Sequence, residues 1–130
     1  MRAATAKKLS LGIPFLNEQE NLPVLYERLI GALDGQPEKF EIIFVDDGST
    51  DGSARWVAEK AAEDGRVRML RLSRNFGHQI AITAGLDRAS GDAVVIMDAD
   101  LQDPPEVIPA LVKKWREGLE VVYAVRESRE

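Results

Sequence analysis

The chain has 130 residues, of which 45% are hydrophobic, enough for one domain with a single core. Its 17 basic and 22 acidic residues give a net charge of -5 without a basic run, which argues against nucleic acid as a main partner. Cysteine is absent, excluding disulfides, thiolate metal sites and a cysteine nucleophile; no apolar run approaches the ~20 residues that span a bilayer, and Met1 to Lys8 lacks an apolar signal core. A soluble domain in the cytoplasm is the expectation.

Leu9-Ser10-Leu11-Gly12-Ile13-Pro14 alternates as a strand, and Pro14, having no N–H, is expected to end its pairing as a central strand. After the polar turn Asn17 to Asn21, the spacing of Leu22, Leu25, Tyr26, Leu29 and Leu33 predicts an amphipathic helix stopping around Asp34-Gly35-Gln36-Pro37. Phe40 to Val45 reads as a second strand, broken by the turn and cap formers Asp46 to Ser53. A helix carrying Ala54, Val57, Ala58 and Ala61 follows, closed by Gly65, and Val67 to Leu72 alternates as a third strand. From Phe76 to Ala89 the pattern is helical, with Ile80, Ala84 and Asp87 setting faces.

Ala93-Val94-Val95-Ile96-Met97 is an apolar run without alternation, expected to form a strand covered on both faces that ends near Asp98 or Asp100, since Pro104-Pro105 forbids further pairing. Asp103 reads as the cap of the next helix, with Pro104 at its first position and Glu106 in its first turn. Val107, Leu111, Val112 and Trp115 mark that helix and Gly118 its end; Glu120 to Val125 forms a fifth strand before a charged tail, Arg126 to Glu130. Alternating strands and helices with short connections call for a three-layer αβα sandwich around a mostly parallel sheet. The end of the chain, a strand followed at once by charged residues, reads as a cut between elements, so residues 1–130 are expected to be one domain truncated at its C-terminus.

Three polar clusters follow three strands, and in a parallel sheet they share one rim, where ligands of open α/β sheets bind. In the first, Ser49, Thr50 and Asp51 suit a capping turn, whereas the adjacent Asp46 and Asp47 exceed what a cap requires and offer carboxylates to ribose hydroxyls. In the second, Arg74, Asn75 and Gly77 near a helix start suit a phosphate or ribose, and the lone His78 reads as a structural hydrogen-bonding group. In the third, Asp98, Asp100 and the amide of Gln102 are hard oxygen ligands suited to Mg²⁺ or Mn²⁺ bridging to phosphate oxygens. The P-loop, G-x-G-x-x-G and H-E-x-x-H patterns and a Ser-His-Asp order are all absent.

Ile13 to Glu18, Val45 to Ser53, Leu72 to Gln79 and Met97 to Pro105 together resemble the family 2 glycosyltransferases, and within them the polyprenyl-phosphate branch of dolichol-phosphate mannose synthases and undecaprenyl-phosphate glucosyltransferases; Arg74-Asn75-Phe76-Gly77-His78 is the most specific of these runs. The resemblance implies the Rossmann-like, nucleotide-binding half of a GT-A fold. Pro14 and Glu18 would border the base, Asp46 would meet base or ribose, and Arg74, Asn75, Gly77 and Asp98 would lie at the donor nucleotide. Asp98 and Asp100 with Gln102 would hold Mg²⁺ or Mn²⁺ on the diphosphate. Leu16 stands where the family often has tyrosine, which removes an aromatic contact with the base. The implied activity is inverting transfer from a nucleotide-sugar, a UDP-sugar favoured over GDP-mannose, to a polyprenyl phosphate. The acceptor half, further catalytic residues and any membrane helices would lie beyond Arg126, placing the full-length protein at the cytoplasmic face of the membrane, and the uncovered fragment would be prone to self-association. The competing readings are a binding-only module for nucleotide-sugar or protein, and a phosphorylation receiver, whose acidic pair would follow the first strand instead of the second.

Overall fold

The computed structural model describes residues 7–117. Four parallel strands, β1 (Lys8–Phe15), β2 (Lys39–Asp46), β3 (Val67–Arg71) and β4 (Ala93–Ile96), form a sheet in the order β3-β2-β1-β4. Helices α1 (Leu22–Leu33), α2 (Ser53–Glu63), α3 (His78–Arg88) and α4 (Ile108–Arg116) follow the strands in turn, α4 after a 3₁₀ turn at Pro105–Val107. A 3-2-1-4 order begins the dinucleotide-binding arrangement; the receiver order is 2-1-3-4-5, so that reading fails on topology.

Strand alternation divides the core into two layers. On one face Leu9, Leu11, Ile13, Phe15, Ile42 and Phe44 pack against α1 through Leu22, Leu25, Leu29 and Leu33, against α2 through Val57 and against α4 through Ile108 and Val112. On the other, Ile43 and Val45 meet Ala81 of α3. α3 approaches closely because its contact side is small: a Cβ on Gly85 would stand 3.3 Å from Val45. Ile80 is 50% exposed, so the face of this helix is set by Ala81 and Gly85 and not by Ile80.

Strand burial on both faces belongs to the central strands β1, buried from Leu9 through Phe15, and β2, buried from Phe40 through Asp46. β4 pairs only with β1 among the described residues, from Leu9↔Ala93 to Gly12↔Ile96, and Val94 is 37% exposed. An apolar run reports the strand but not whether its second face is covered.

Pro14 lies inside a central strand, opposite Val45, contrary to the expectation from its missing N–H. The carbonyls of Lys8 and Gly12 accept from Asp92 and Met97, whereas that of Phe15 accepts from Asp47, so even-numbered positions of β1 address β4 and odd-numbered ones β2. Pro14 therefore lacks its donor on the side where the β4 ladder has already ended at Gly12↔Ile96.

Three smaller expectations also change. α2 stops at Asp64, whose backbone is extended, and Gly65 supplies no left-handed cap. Ala58 faces solvent. The turn before α4 begins at Pro105, with Pro104 in the capping position and Glu106 in the first turn, one residue later than the sequence suggests. Gly118, the fifth strand at Glu120 to Val125 and the tail lie outside the described residues.

At the N-terminal end of the sheet a buried carboxylate joins three strands. Glu41 Oε2 accepts from Ser10 Oγ (2.6 Å), the Ser90 amide (2.9 Å) and Ser90 Oγ (3.0 Å), while Oε1 faces Lys8 Nζ and Arg68 Nη1, each at 3.3 Å.

Candidate functional site

At the other end of the strands lies a cavity of about 370 Å³ whose wall draws on the segments after all four strands: Pro14, Leu16 and Glu18; Asp47; Asn75, Gly77 and His78; Asp98 and Asp100. The expected sharing of one rim by the polar clusters is thus a geometric fact of the sheet.

The first two segments are laced to each other. Asn17, in the left-handed region at φ 55, accepts the Thr50 and Asp51 amides on Oδ1 at 2.8 and 3.2 Å, and its own N–H donates to Ser49 Oγ at 2.9 Å. The Glu18 amide donates to Ser53 Oγ and the Gly52 amide to Gln19 Oε1, both at 2.9 Å. Of the expected capping residues, Asp51 does accept the Ser53 amide, but Ser49 is engaged by Asn17. Glu18 keeps its place on the wall with Oε1 accepting from Asn21 Nδ2 at 2.8 Å.

Consecutive residues at a strand end face opposite ways, which separates Asp46 from Asp47. Asp46 has no exposure and is not on the cavity wall; Oδ1 accepts the Ser49 amide at 2.8 Å, and Oδ2, without a hydrogen-bond donor, lies 3.5 Å from Arg71 Nε. Asp47 is the carboxylate on the wall. It accepts the Phe76 amide at 2.9 Å and the Gly77 amide at 3.2 Å, tying the loop after β3 to the end of β2.

Gly48 makes this approach possible: at φ 92, a Cβ there would stand 2.6 Å from the Asn75 nitrogen and 3.0 Å from the Arg74 carbonyl carbon. Both neighbours are backbone and cannot rotate away. Gly48→Ala is therefore expected to cost at least ~2 kcal/mol in urea unfolding. A variant as stable as the parent would show that the two loops do not pack this tightly.

The remaining candidates divide. Asn75 and Gly77 line the cavity, the latter at φ 106 immediately before α3. Arg74 does not; its guanidinium lies over the Phe76 ring at 4.4 Å. Asp98 faces His78, with Nε2 to Oδ1 at 3.2 Å. Asp100 Oδ1 accepts the Gln102 amide at 3.1 Å across Leu101, which sits at φ 63. Gln102 itself is exposed and off the wall.

Among the described residues no three His, Cys, Asp or Glu side chains gather into a preformed metal cage. Beyond β4 the wall does carry two neighbouring carboxylates, Asp98 and Asp100. Mg²⁺ and Mn²⁺ are held in this way in many phosphate sites, by one or two carboxylates with the remaining positions taken by water and substrate phosphates. The donor set fits such an ion.

The residue pattern offers Asp46 and Asp47 together and the resemblance chooses Asp46, so Asp47 as the wall carboxylate is passed over; the tie between His78 and Asp98 and the role of Asn17 are missed outright. The first needs only strand parity once the inward face is known. The tie depends on how α3 is placed, which no local pattern encodes.

The family model described as Glycosyl transferase family 2 matches residues 10–130. A relative in Bacillus subtilis (strain 168), named as the uncharacterized glycosyltransferase YkcC, is 51% identical over 92% of this chain and 37% of its own length. The undecaprenyl-phosphate 4-deoxy-4-formamido-L-arabinose transferase of Serratia proteamaculans (strain 568) is 48% identical over 99% of this chain and 40% of its own. Among solved structures, the mannosyltransferase PcManGT from Pyrobaculum calidifontis, in complex with GDP-Man and Mn²⁺, matches with a TM-score of 0.66 and 28% identity, over 85% of this chain and 32% of that one. The chain thus spans about two-fifths of the length of these curated relatives. With the family match running from residue 10 to residue 130, the chain belongs to glycosyl transferase family 2.

Proposed function

We propose that the cavity binds the nucleoside diphosphate of a sugar donor and that the whole protein transfers the sugar, with inversion, to a polyprenyl phosphate. The observation that carries this reading is the placement of carboxylates on both sides of β1, Asp47 at the end of β2 and Asp98 with Asp100 beyond β4, around one cavity.

Each group has a task in this reading. Pro14 and Glu18 border the nucleoside, and Asp47 takes the base or ribose role that the sequence suggested for Asp46, because Asp47 faces the cavity. Asn75 and Gly77 close the nucleotide side, and the adjoining Arg74 offers its charge. Asp98 and Asp100 would hold Mg²⁺ or Mn²⁺ against the diphosphate, Gln102 contributing its backbone amide to fix Asp100. Bound there, the ion supplies positive charge that stabilises the departing nucleoside diphosphate.

The acceptor is read from the undecaprenyl-phosphate named for the Serratia relative, a lipid that would place the whole protein at the cytoplasmic face of the membrane. No helix among the described residues is long and apolar enough to cross a membrane.

Titration calorimetry with UDP and GDP, each with Mn²⁺ and again with chelator, tests the donor site. One of the two is expected to bind with Mn²⁺ and to weaken at least tenfold when the ion is removed; a UDP preference is the favoured result. Binding of neither nucleotide would sink the donor-site reading.

A further inference from the structure

We infer that His78 is a positioning residue that orients Asp98 for the divalent ion, an inference that rests on the donor-site reading above. Residues 76–78 join the carboxylates on the two sides of β1: the Phe76 and Gly77 amides donate to Asp47 at the end of β2, and the next side chain, His78, faces Asp98 beyond β4. β1 lies between β2 and β4 in the sheet, so these three residues cross over its end, where Pro14 and Phe15 line the cavity.

His78 does little for the core. It is exposed, it opens α3, and that helix is seated by Ala81 and Gly85 on β1 and β2. Its imidazole nevertheless lies on the cavity wall with Nε2 3.2 Å from Asp98 Oδ1. A carboxylate on a short turn past a strand end has two torsions to settle, and a ring fixed on the first turn of a helix holds one of its oxygens in place. A carboxylate held in this way keeps one direction toward the ion. Partners of this kind set the direction of a ligand's lone pairs, and their removal weakens metal binding by about 10–100-fold.

The test is the Mn²⁺ concentration that half-saturates binding of UDP or GDP, measured by calorimetry on this chain and its variants, with thermal unfolding followed by circular dichroism. His78→Ala is expected to raise that concentration about tenfold with an unchanged Tm, and His78→Gln, which keeps a donor at similar reach, to stay within about twofold of the parent. If His78→Ala does not fold, His78→Leu, which fills the space without a donor, replaces it. An unchanged Mn²⁺ requirement in the donor-less variant overturns the inference, as does a Gln variant as impaired as the Ala one. Failure of the parent chain to bind either nucleotide in the presence of Mn²⁺ overturns the donor-site reading itself, and the inference with it.

Discussion

Asp100→Asn is expected to weaken Mn²⁺-dependent binding of the nucleoside diphosphate at least a hundredfold, about 2.7 kcal/mol, while the Tm stays within about 2 °C of the parent. The substitution is nearly isosteric. Asparagine keeps an oxygen that can accept the Gln102 amide, so the turn that carries Leu101 at φ 63 retains the bond it has now. What would be lost is one of the two negative charges proposed to hold the cation, which would then depend on Asp98 alone among the wall carboxylates beyond β4. Calorimetry in the presence and absence of Mn²⁺ reads the binding loss, and circular dichroism reads the Tm. A variant that binds as the parent does would falsify the assignment of Asp100 to the ion. A large drop in Tm would show instead that Asp100 holds the fold.

The sequence shows clearly where this chain turns from sheet to chemistry. Apolar runs stop at Asp46 and before Asp98, and in a parallel sheet those stops share an end, so the cavity's location follows from period and topology alone. Helix α1 is equally legible: its five buried residues, Leu22, Leu25, Tyr26, Leu29 and Leu33, are the five at helical spacing. Less is legible where two elements must be placed against each other. Asp46 and Asp47 differ only in which way they face, and nothing local says which face of β2 carries α3. Ile80 looks like a core residue, yet Ala81 and Gly85 take the contact because α3 lies close against the sheet. Pro14 is tolerated by a fact about β4, eighty residues further on, whose ladder stops at Gly12.

Away from the cavity, stability is expected to depend on Glu41. Burial alone would raise its carboxyl, but hydrogen bonds from Ser10 and from the amide and hydroxyl of Ser90, with Lys8 beside it, outweigh burial and lower it from the ordinary 4.5 to about 2. Because the folded value is depressed, the stabilisation is fully present above pH ~4.5 and is lost as the pH falls toward about 2. The shift corresponds to roughly 3 kcal/mol as an upper figure, since the Lys8 and Arg68 side chains are 40% and 47% exposed and solvent screens their part. Glu41→Ala leaves the Ser10 hydroxyl and the Ser90 amide without their carboxylate and is expected to lower the Tm on the order of 10 °C at pH 7. Glu41→Gln gives the sharper test, because other depressed carboxyls, such as Asp64, add to acid unfolding of parent and variant alike. The stability gap between parent and Gln variant, measured by urea unfolding, is expected to be full above pH ~4.5 and to close as the pH falls toward 2. A gap that does not change with pH would show that the Glu41 charge is not what the network stabilises. Nucleotide binding at pH 7 should survive in the Gln variant, since Glu41 joins the strands at the end of the sheet opposite the cavity.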